Sequence, residues 1–560
     1  MNRSPSKTLV GLSLLLLTCA CWAAAGEQQG EVLYNGIRLP AQWPPREPLG
    51  REPMPLPYLR QPPAVIPIDV GRQLFVDDFL IQETTLRRVF HRPEEYAGNP
   101  VLKPDQPWDK QGQASAAMPF SDGAWWDPRV ERFRLWYMGG LFSSTCLAES
   151  SDGLRWSKPP LDVDPGTSVL LRGRRDSSTV WLDHAEKDPQ RRYKMLTVPL
   201  GQGKSWQLVL RESADGVHWS APRAASPRCG DRTTFFYNPF RNVWVLSLRN
   251  LGIPRARNYR EHADLLQALA WGEGEVVPWL GADRLDPHHP DPQFQKIEPQ
   301  LYNLDAVAYE SLLLGLFSVW QGPENGTCAK LRIHKRNEVL AGFSRDGFHW
   351  DRPDRRPFLA VHPLKDAWNW GNVQSAGGCC LVVGDRLYFY FSGRALNDGF
   401  WDGNAGTGLA FLRRDGFASM DAAGSAGVLT TRPVRFRGRY LFVNVAAAEG
   451  RLQAEILDPA GTPIAPFTLA NCEAVQADKT LVAVKFRGAD DLSPLAGRAV
   501  RLRFQLRNGS LYSFWVSPDT RGASHGYVAA GGPGFPGAVD TAGTAAYAAA
   551  EKITQAKAEK

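Results

Sequence analysis

Several short runs of the 560-residue sequence carry a carboxylate where an otherwise apolar, alternating segment begins. Asp176 precedes "SSTVWLD", Asp231 precedes "RTTFFYN", Asp305 and Glu310 lie within "NLDAVAYES", and Asp109 sits in "PWDK" just ahead of "QASAAMPF". Carboxyl groups brought together from different strands can divide into an ionised one and a protonated one. That division is what acid/base cleavage of a glycosidic bond requires. Asp231 has Arg232 as its neighbour, and a nearby cation favours the ionised form, which suits a base, nucleophile or charge stabiliser. Glu310 follows Ala308 and Tyr309 and precedes a Leu run, so burial there raises its pKa and suits a general acid. Asp176 is the third member of this catalytic set. On an uninterrupted strand Asp305 and Glu310 face opposite sides; Glu310 is assigned to the interior and Asp305 to the mouth of the strand.

Asp109, Arg232, Arg249, Asn303, Asp305, Trp370, Asn372, Gln374 and Arg394 are the candidates for holding a substrate around these acids. Planar amides and an indole suit sugar hydroxyls and sugar faces, and arginines suit an acidic sugar. Each acid taken singly reads equally well as a turn cap or an ion pair between neighbouring units. No H-E-x-x-H, C-x-x-C or phosphate-binding glycine loop occurs, and "DPHHPDP" reads as a loop, so no metal or cofactor is expected.

The elements that must position these residues recur. "SSDGLRW" around Asp152, "SADGVHW" around Asp215, "SRDGFHW" around Asp346 and a degenerate "RRDGFAS" around Asp415 mark repeats, and the middle interval is twice the others. "WGEGEVVPW", with Trp279, fills the missing place, giving five units of about 65 residues, a period typical of propellers or solenoids. Each unit starts with small or apolar residues, passes a turn such as "WDPRVER" or "NPFRN", and ends in an aromatic run such as "FRLWYMGG" or "LYFYFSGR". These are hairpins, with the small residues on the strand nearest a crowded axis. The Asp-Gly of the motif belongs in a tight turn and its Trp between blades. The charged stretch "RARNYREHADLL" reads as an insertion, either a loop over the cavity or a solvated edge.

Beyond residue 423 the pattern becomes short alternating strands, a β-sandwich over 424–518. The tail 519–560 is Gly- and Ala-rich and reads as disordered. Residues 26–70 are Pro-rich and extended, and 71–423 form the propeller. The fold class is therefore all-β, a five-bladed β-propeller followed by a C-terminal β-sandwich.

Residues 1–25 carry a basic start, an apolar run from Leu9 to Leu17 and an Ala-rich cleavage site, as in a signal peptide. Secretion or a periplasmic location is expected, with lipid anchoring at Cys19 or Cys21 the lesser alternative. The net charge of +7 is interspersed, which gives no case for nucleic acid, and a monomer without a membrane span is expected. The six cysteines beyond the signal segment read mostly as buried small apolar residues.

"QLFVDDFLI", "NPVLKPDQPWD", "GDRTTFFYNPFRNVWVLSLR", "YNLDAVAYESLLLGLF", "GFSRDGFHWDRP" and "WGNVQSAGG" resemble a group of secreted bacterial proteins similar to glycoside hydrolase families 32 and 43. The resemblance covers roughly residues 70 to 517. It implies a propeller cavity holding three acids from different blades: a nucleophile or base, a stabiliser and an acid. "QASAAMPF" in the first blade contains no carboxylate, which departs from that pattern. The function expected is glycosidic hydrolysis of an oligo- or polysaccharide, with Glu310 as acid and Asp231 or Asp176 as base or nucleophile. The alternatives are a sugar-binding propeller without catalysis, or a polysaccharide lyase using Tyr309, His184 and Arg232.

Overall fold

The computed structural model describes residues 30–201, 206–365, 367–395 and 405–555; residues 1–25, expected to be a signal peptide, lie outside the described residues. Five antiparallel blades surround one axis. The first comprises Ala117–Asp127, Arg132–Gly139, Ser144–Ser150 and Val169–Leu171, and the second Arg175–Leu182, Tyr193–Pro199, Val209–Ser213 and Ala224–Ala225. The third comprises Thr234–Asn238, Val243–Arg249, Arg257–His262 and Val277–Leu280. The fourth has Gln300–Glu310, Leu312–Gly322 and Arg336–Ser344, edged by bridges to Asp351 and Leu359. The fifth has Asn372–Ser375, Arg386–Arg394 and Gly406–Arg413, and its outer strand is Glu94–Glu95 from the N-terminal side. A strand from before the first blade thus completes the last one and closes the ring, covering an edge that would otherwise be open.

Local chemistry sets the hairpins. Asp127 Oδ1 accepts the Arg129 N–H (3.0 Å) and Asn238 Oδ1 the Phe240 N–H (3.1 Å), the Asx turns expected of "WDPRVER" and "NPFRN". The repeated motif is a turn as well. Asp152, Asp215 and Asp346 each accept the N–H groups two and three residues on, at 2.8–2.9 Å. The turn carbonyls then tie blade to blade: Tyr390 Oη donates to Gly153 O (2.5 Å), Trp136 Nε1 to Gly216 O (3.0 Å) and Trp279 Nε1 to Phe348 O (2.8 Å). The motif is a blade lock, and its Asp-Gly carries no site. "RARNYREHADLL" proves to be neither loop nor solvated edge alone. Arg257–His262 is the third strand of its blade, and Asp264 caps the helix Leu265–Leu269.

The sandwich draws on both ends of the chain. One sheet runs Asp478–Ala483, Tyr440–Ala446, Gly509–Ser517, Ala418–Ala422 and Arg87–Phe90, with Gln73–Leu74 also paired to Gly509–Ser517. The other runs Arg451–Leu457, Arg501–Arg507, Gly427–Thr431 and Ile81–Thr84. "QLFVDDFLI", assigned above to the propeller, is therefore largely sandwich, which starts at 418 rather than 424. The Pro-rich segment crosses the third and fourth blades, where Tyr34 stacks on Phe240 and Trp43 meets Phe348 edge-on. It then pairs Ile66–Pro67 with Val434–Arg435.

The tail is folded from 519 to 555, against the expectation of disorder. Tyr527–Val528 pairs with the fourth blade's inner strand, and Thr544–Gln555 is a helix. Backbone bonds join Trp126 N to Ala530 O (3.0 Å), Ala530 N to Cys380 O (3.0 Å) and Val382 N to Gly531 O (2.8 Å), so the tail stops one end of the channel. Its small residues are what the narrow axis accepts: a Cβ on Gly532 would lie 1.8 Å from Val382 O, and one on Gly526 2.2 Å from Glu310 Oε2. The composition that resembled a solvated tail is that of a plug. The six cysteines from Cys146 to Cys472 are buried and unbridged.

Candidate active site

All five inner strands run in one direction, so their N-terminal ends gather at one mouth of the channel and their C-terminal ends at the plugged mouth. The N-terminal ends meet through side chains. Asp305 Oδ2 accepts Ser121 Oγ (3.1 Å), Asn303 Nδ2 (3.0 Å) and Ser375 Oγ (2.5 Å), which joins the first, fourth and fifth blades. Asp176 Oδ1 accepts the Ser177 N–H (2.8 Å) and faces the Arg232 N–H (3.4 Å), which joins the second and third. The Arg232 guanidinium donates to Phe120 O (3.1 Å) and Ser121 Oγ (3.2 Å) and lies 3.7 Å over the Phe120 ring.

The first blade reaches this centre through strain. A bulge in Ala117–Asp127 puts Phe120 (φ 45°) and Ser121 (φ 70°) in left-handed backbone conformations. That kink aims the Ser121 hydroxyl at Asp305. The strand also holds a carboxylate, Asp122, just past the end of "QASAAMPF", so the first blade does not lack an acid. Asp122 is buried and ion-paired with Arg175 (2.6 Å), and burial pushes its pKa up to about 6.

Asp176 and Asp231 form a contrasted pair. Asp176 is buried, and burial followed by the charge of Asp231 pushes it up to about 6, against the opposing pull of Arg232. Asp231 has a side chain 35% exposed at the mouth and is ion-paired with Arg249 (3.1 Å). The Asp231-Arg232 neighbours thus diverge, the acid to the mouth and the cation inward. Burial also raises the Asp305 carboxyl despite its three donors.

Asn372 donates to Lys335 O (3.2 Å) and accepts from Gln374 Nε2 (2.8 Å); Trp370 is half-buried in the turn just ahead of them. Arg394 is buried with its guanidinium 4.9 Å over Phe120, on the ring that also carries Arg232. Among the described residues Asn303 Oδ1, Asp305 Oδ1, Gln374 Oε1 and the Nε and Nη2 of Arg394 are buried without a hydrogen-bond partner.

Two placements differ from the sequence reading. Glu310 is at the opposite mouth, about 17 Å along its strand from Asp305 at 3.4 Å per residue. Its carboxylate is buried against Arg414 (3.0 Å), Arg72 (3.4 Å) and Ser524 Oγ (2.7 Å), where propeller, sandwich and tail meet. The apolar setting that suggested a water-free acid is a domain junction. Asp109 is held by Tyr137 Oη (3.2 Å) and Lys158 Nζ (2.5 Å), neither of them a channel residue. The lyase set does not assemble: Tyr309 donates to Asp415 (2.6 Å) at the junction, and His184 lines a cavity of about 510 Å³ at the plugged mouth.

The sequence reading missed Ser121, Asp122, Arg257, Tyr302, Lys335 and Ser375. Arg257 donates to Arg232 O (2.9 Å), and Lys335 donates to Tyr302 Oη (3.1 Å). Ser375 directly follows Gln374, so the period of two that singled out Asn372 and Gln374 places it on the other face and did not point to it. No sequence signal marked Lys335, which lies just ahead of a third strand.

No family model matches the chain, and no curated protein matches it in sequence. In structure it is similar, at low identity, to propeller glycoside hydrolases of the family-43 kind and to a related phosphorylase. A family-43 glycoside hydrolase from Bacillus licheniformis is 9% identical over 76% of this chain and 98% of its own, with a TM-score of 0.36. An N-acetylgalactosamine deacetylase from F. plautii is 14% identical over 62% and 97%, TM-score 0.36. A β-1,2-mannobiose phosphorylase from Listeria innocua is 12% identical over 57% and 96%, TM-score 0.38. The likeness is one of architecture. Among the described residues no helix is long and apolar enough to cross a membrane.

Proposed function

We propose that the end of the channel where the inner strands begin hydrolyses a glycosidic bond, with Asp176 as the general acid and Asp231 as the carboxylate that acts as base or nucleophile. The observation that carries this reading is the contrast between the two aspartates on adjoining inner strands. One is buried and held protonated to about pH 6; the other is partly exposed and fixed by Arg249. Asp176 delivers its proton to the glycosidic oxygen as the bond to the anomeric carbon breaks. Asp231 either deprotonates the attacking water or attacks the anomeric carbon itself, and in the second case water then releases the sugar. Asp305, fixed by three blades, stabilises positive charge on the ring, and Asn303, Asn372 and Gln374 supply amide partners for hydroxyls.

Reducing ends released from a panel of plant and algal glycans test the reading. Asp176→Asn should lower kcat/KM by about 10²–10⁴, and Asp231→Asn by at least as much. Full activity in either variant removes the role assigned to that residue.

A further inference from the structure

Four cations at the mouth where the inner strands begin, Arg232, Arg257, Lys335 and Arg394, are each at most 8% exposed and make no ion pair with any described residue. Among the described channel acids Asp176 and Asp305 are not ion-paired, and two carboxyls are too few to balance four cations. The other acids described there are already matched, Asp122 to Arg175 and Asp231 to Arg249. Among the described residues the mouth therefore carries a buried positive excess. Uncompensated buried charge is costly, and the strain shows in Arg257 and Arg394. Burial and then neighbouring cations, Arg232 first, push Arg257 down to about 9; burial, with Arg232 again adding, pushes Arg394 down to about 10.

Arg394 also has a direction. Its unpartnered nitrogens, Nε and Nη2, form the side-on edge of the guanidinium, two parallel N–H groups spaced for two oxygens of one anionic group. Phe120 supports the flat face, and the same ring carries Arg232. A neutral sugar would leave this fork with hydroxyls only and the excess charge in place.

We infer that the sugar bound at this mouth is anionic, its carboxylate or sulfate ester lying on the side-on edge of Arg394 within reach of the charge of Arg232. This substrate class rests on the carbohydrate reading above, but not on hydrolysis. The test uses the full chain and thio-linked disaccharides, which resist acid-assisted cleavage: one ending in a uronate, one in a 6-sulfated hexose and one in the neutral hexose. Calorimetric titration should give at least a tenfold tighter Kd for one of the anionic compounds than for the neutral one, and the tighter of the two identifies the group. Arg394→Gln should abolish that preference, and Arg394→Lys should restore part of it while losing the distinction between carboxylate and sulfate. Equal affinities for all three compounds in the unmodified protein overturn the inference without recourse to any variant, as does a preference that survives Arg394→Gln. Tight binding of an anionic compound whose oxygen-linked counterpart releases no reducing ends leaves this inference standing and removes hydrolysis.

Discussion

Glu310 separates the reading of the sequence from the reading of the structure, because the two predict opposite results for Glu310→Gln. At the junction three carboxylates, Glu310, Asp415 and Asp540, face two guanidiniums, Arg72 and Arg414. One negative charge is in surplus. Burial above all raises the Glu310 pKa, against Arg414 and Arg72 and with help from Asp415 and Asp540. Despite their own burial, Asp415 is held low by Arg72 and then Arg414, and Asp540 by Arg414 and then Arg72. Of the three carboxyls Glu310 is the one pushed up, so an amide there should disturb the charge balance least. The cost should be one misdirected donor, about 1–2 kcal/mol. Asp415 is different: it accepts Arg72 (3.0 Å), Asn444 (3.1 Å), Ser513 (2.7 Å) and Tyr309 (2.6 Å). Asp415→Asn leaves Arg72 short of its charge and should cost about 3–5 kcal/mol, a fall in Tm of about 3–5 °C for a chain of this length. Thermal unfolding followed by circular dichroism, with hydrolysis assayed at 25 °C, reads both effects. Glu310→Gln should keep the fold and the rate. A folded Glu310→Gln protein that has lost two or more orders of magnitude in rate, beside an active Asp176→Asn, would refute the placement of chemistry at the mouth of Asp176 and Asp231.

The pH dependence follows from the same shifts. Asp176 must hold its proton to act as acid, so kcat/KM should fall as pH rises through about 6, and a basic limb two units higher would remove Asp176 from that role. Asp415 and Asp540 have folded-state pKa values below their unfolded ones, so the unfolded chain binds more protons in acid. Their contribution is present above the ordinary Asp range and lost as pH falls below it, which a fall in Tm between about pH 5 and pH 3 should register. Gly526→Ala places a Cβ 2.2 Å from Glu310 Oε2 and should destabilise by about 1–3 kcal/mol; an unchanged Tm would mean the tail is not seated in the junction. Trp136→Phe removes the indole bond to Gly216 O and should cost about 0.5–1.5 kcal/mol in chemical denaturation, with no change in activity.

The blades were legible because their determinants are local and repeated. Asx turns, the Ser-x-Asp-Gly turn and small residues on the inner strands each have a sequence signature. The tail was not legible, since Gly and Ala signal either a segment with nothing to bury or one that must pass close to other backbones, and only the partner surface decides between them. Nor was Asp122, because the bulge at Phe120 and Ser121 breaks the alternation that would have continued the strand to it. The choice between Asp305 and Glu310 was different in kind. Alternation stated correctly that one of them faces the channel, and the apolar neighbours of Glu310 then tipped the choice the wrong way. The deciding information was nonetheless in the sequence. In a propeller every inner strand runs the same way along the axis, so a residue's place along its strand fixes the mouth it serves. Asp176 and Asp231 stand at the N-terminal ends of their strands, and whatever joins them must also stand near an N-terminal end. Asp305, midway along Gln300–Glu310, comes level with them because the strands are staggered, Thr234 at the start of its strand bonding Leu304 O, and Glu310, the last position, does not.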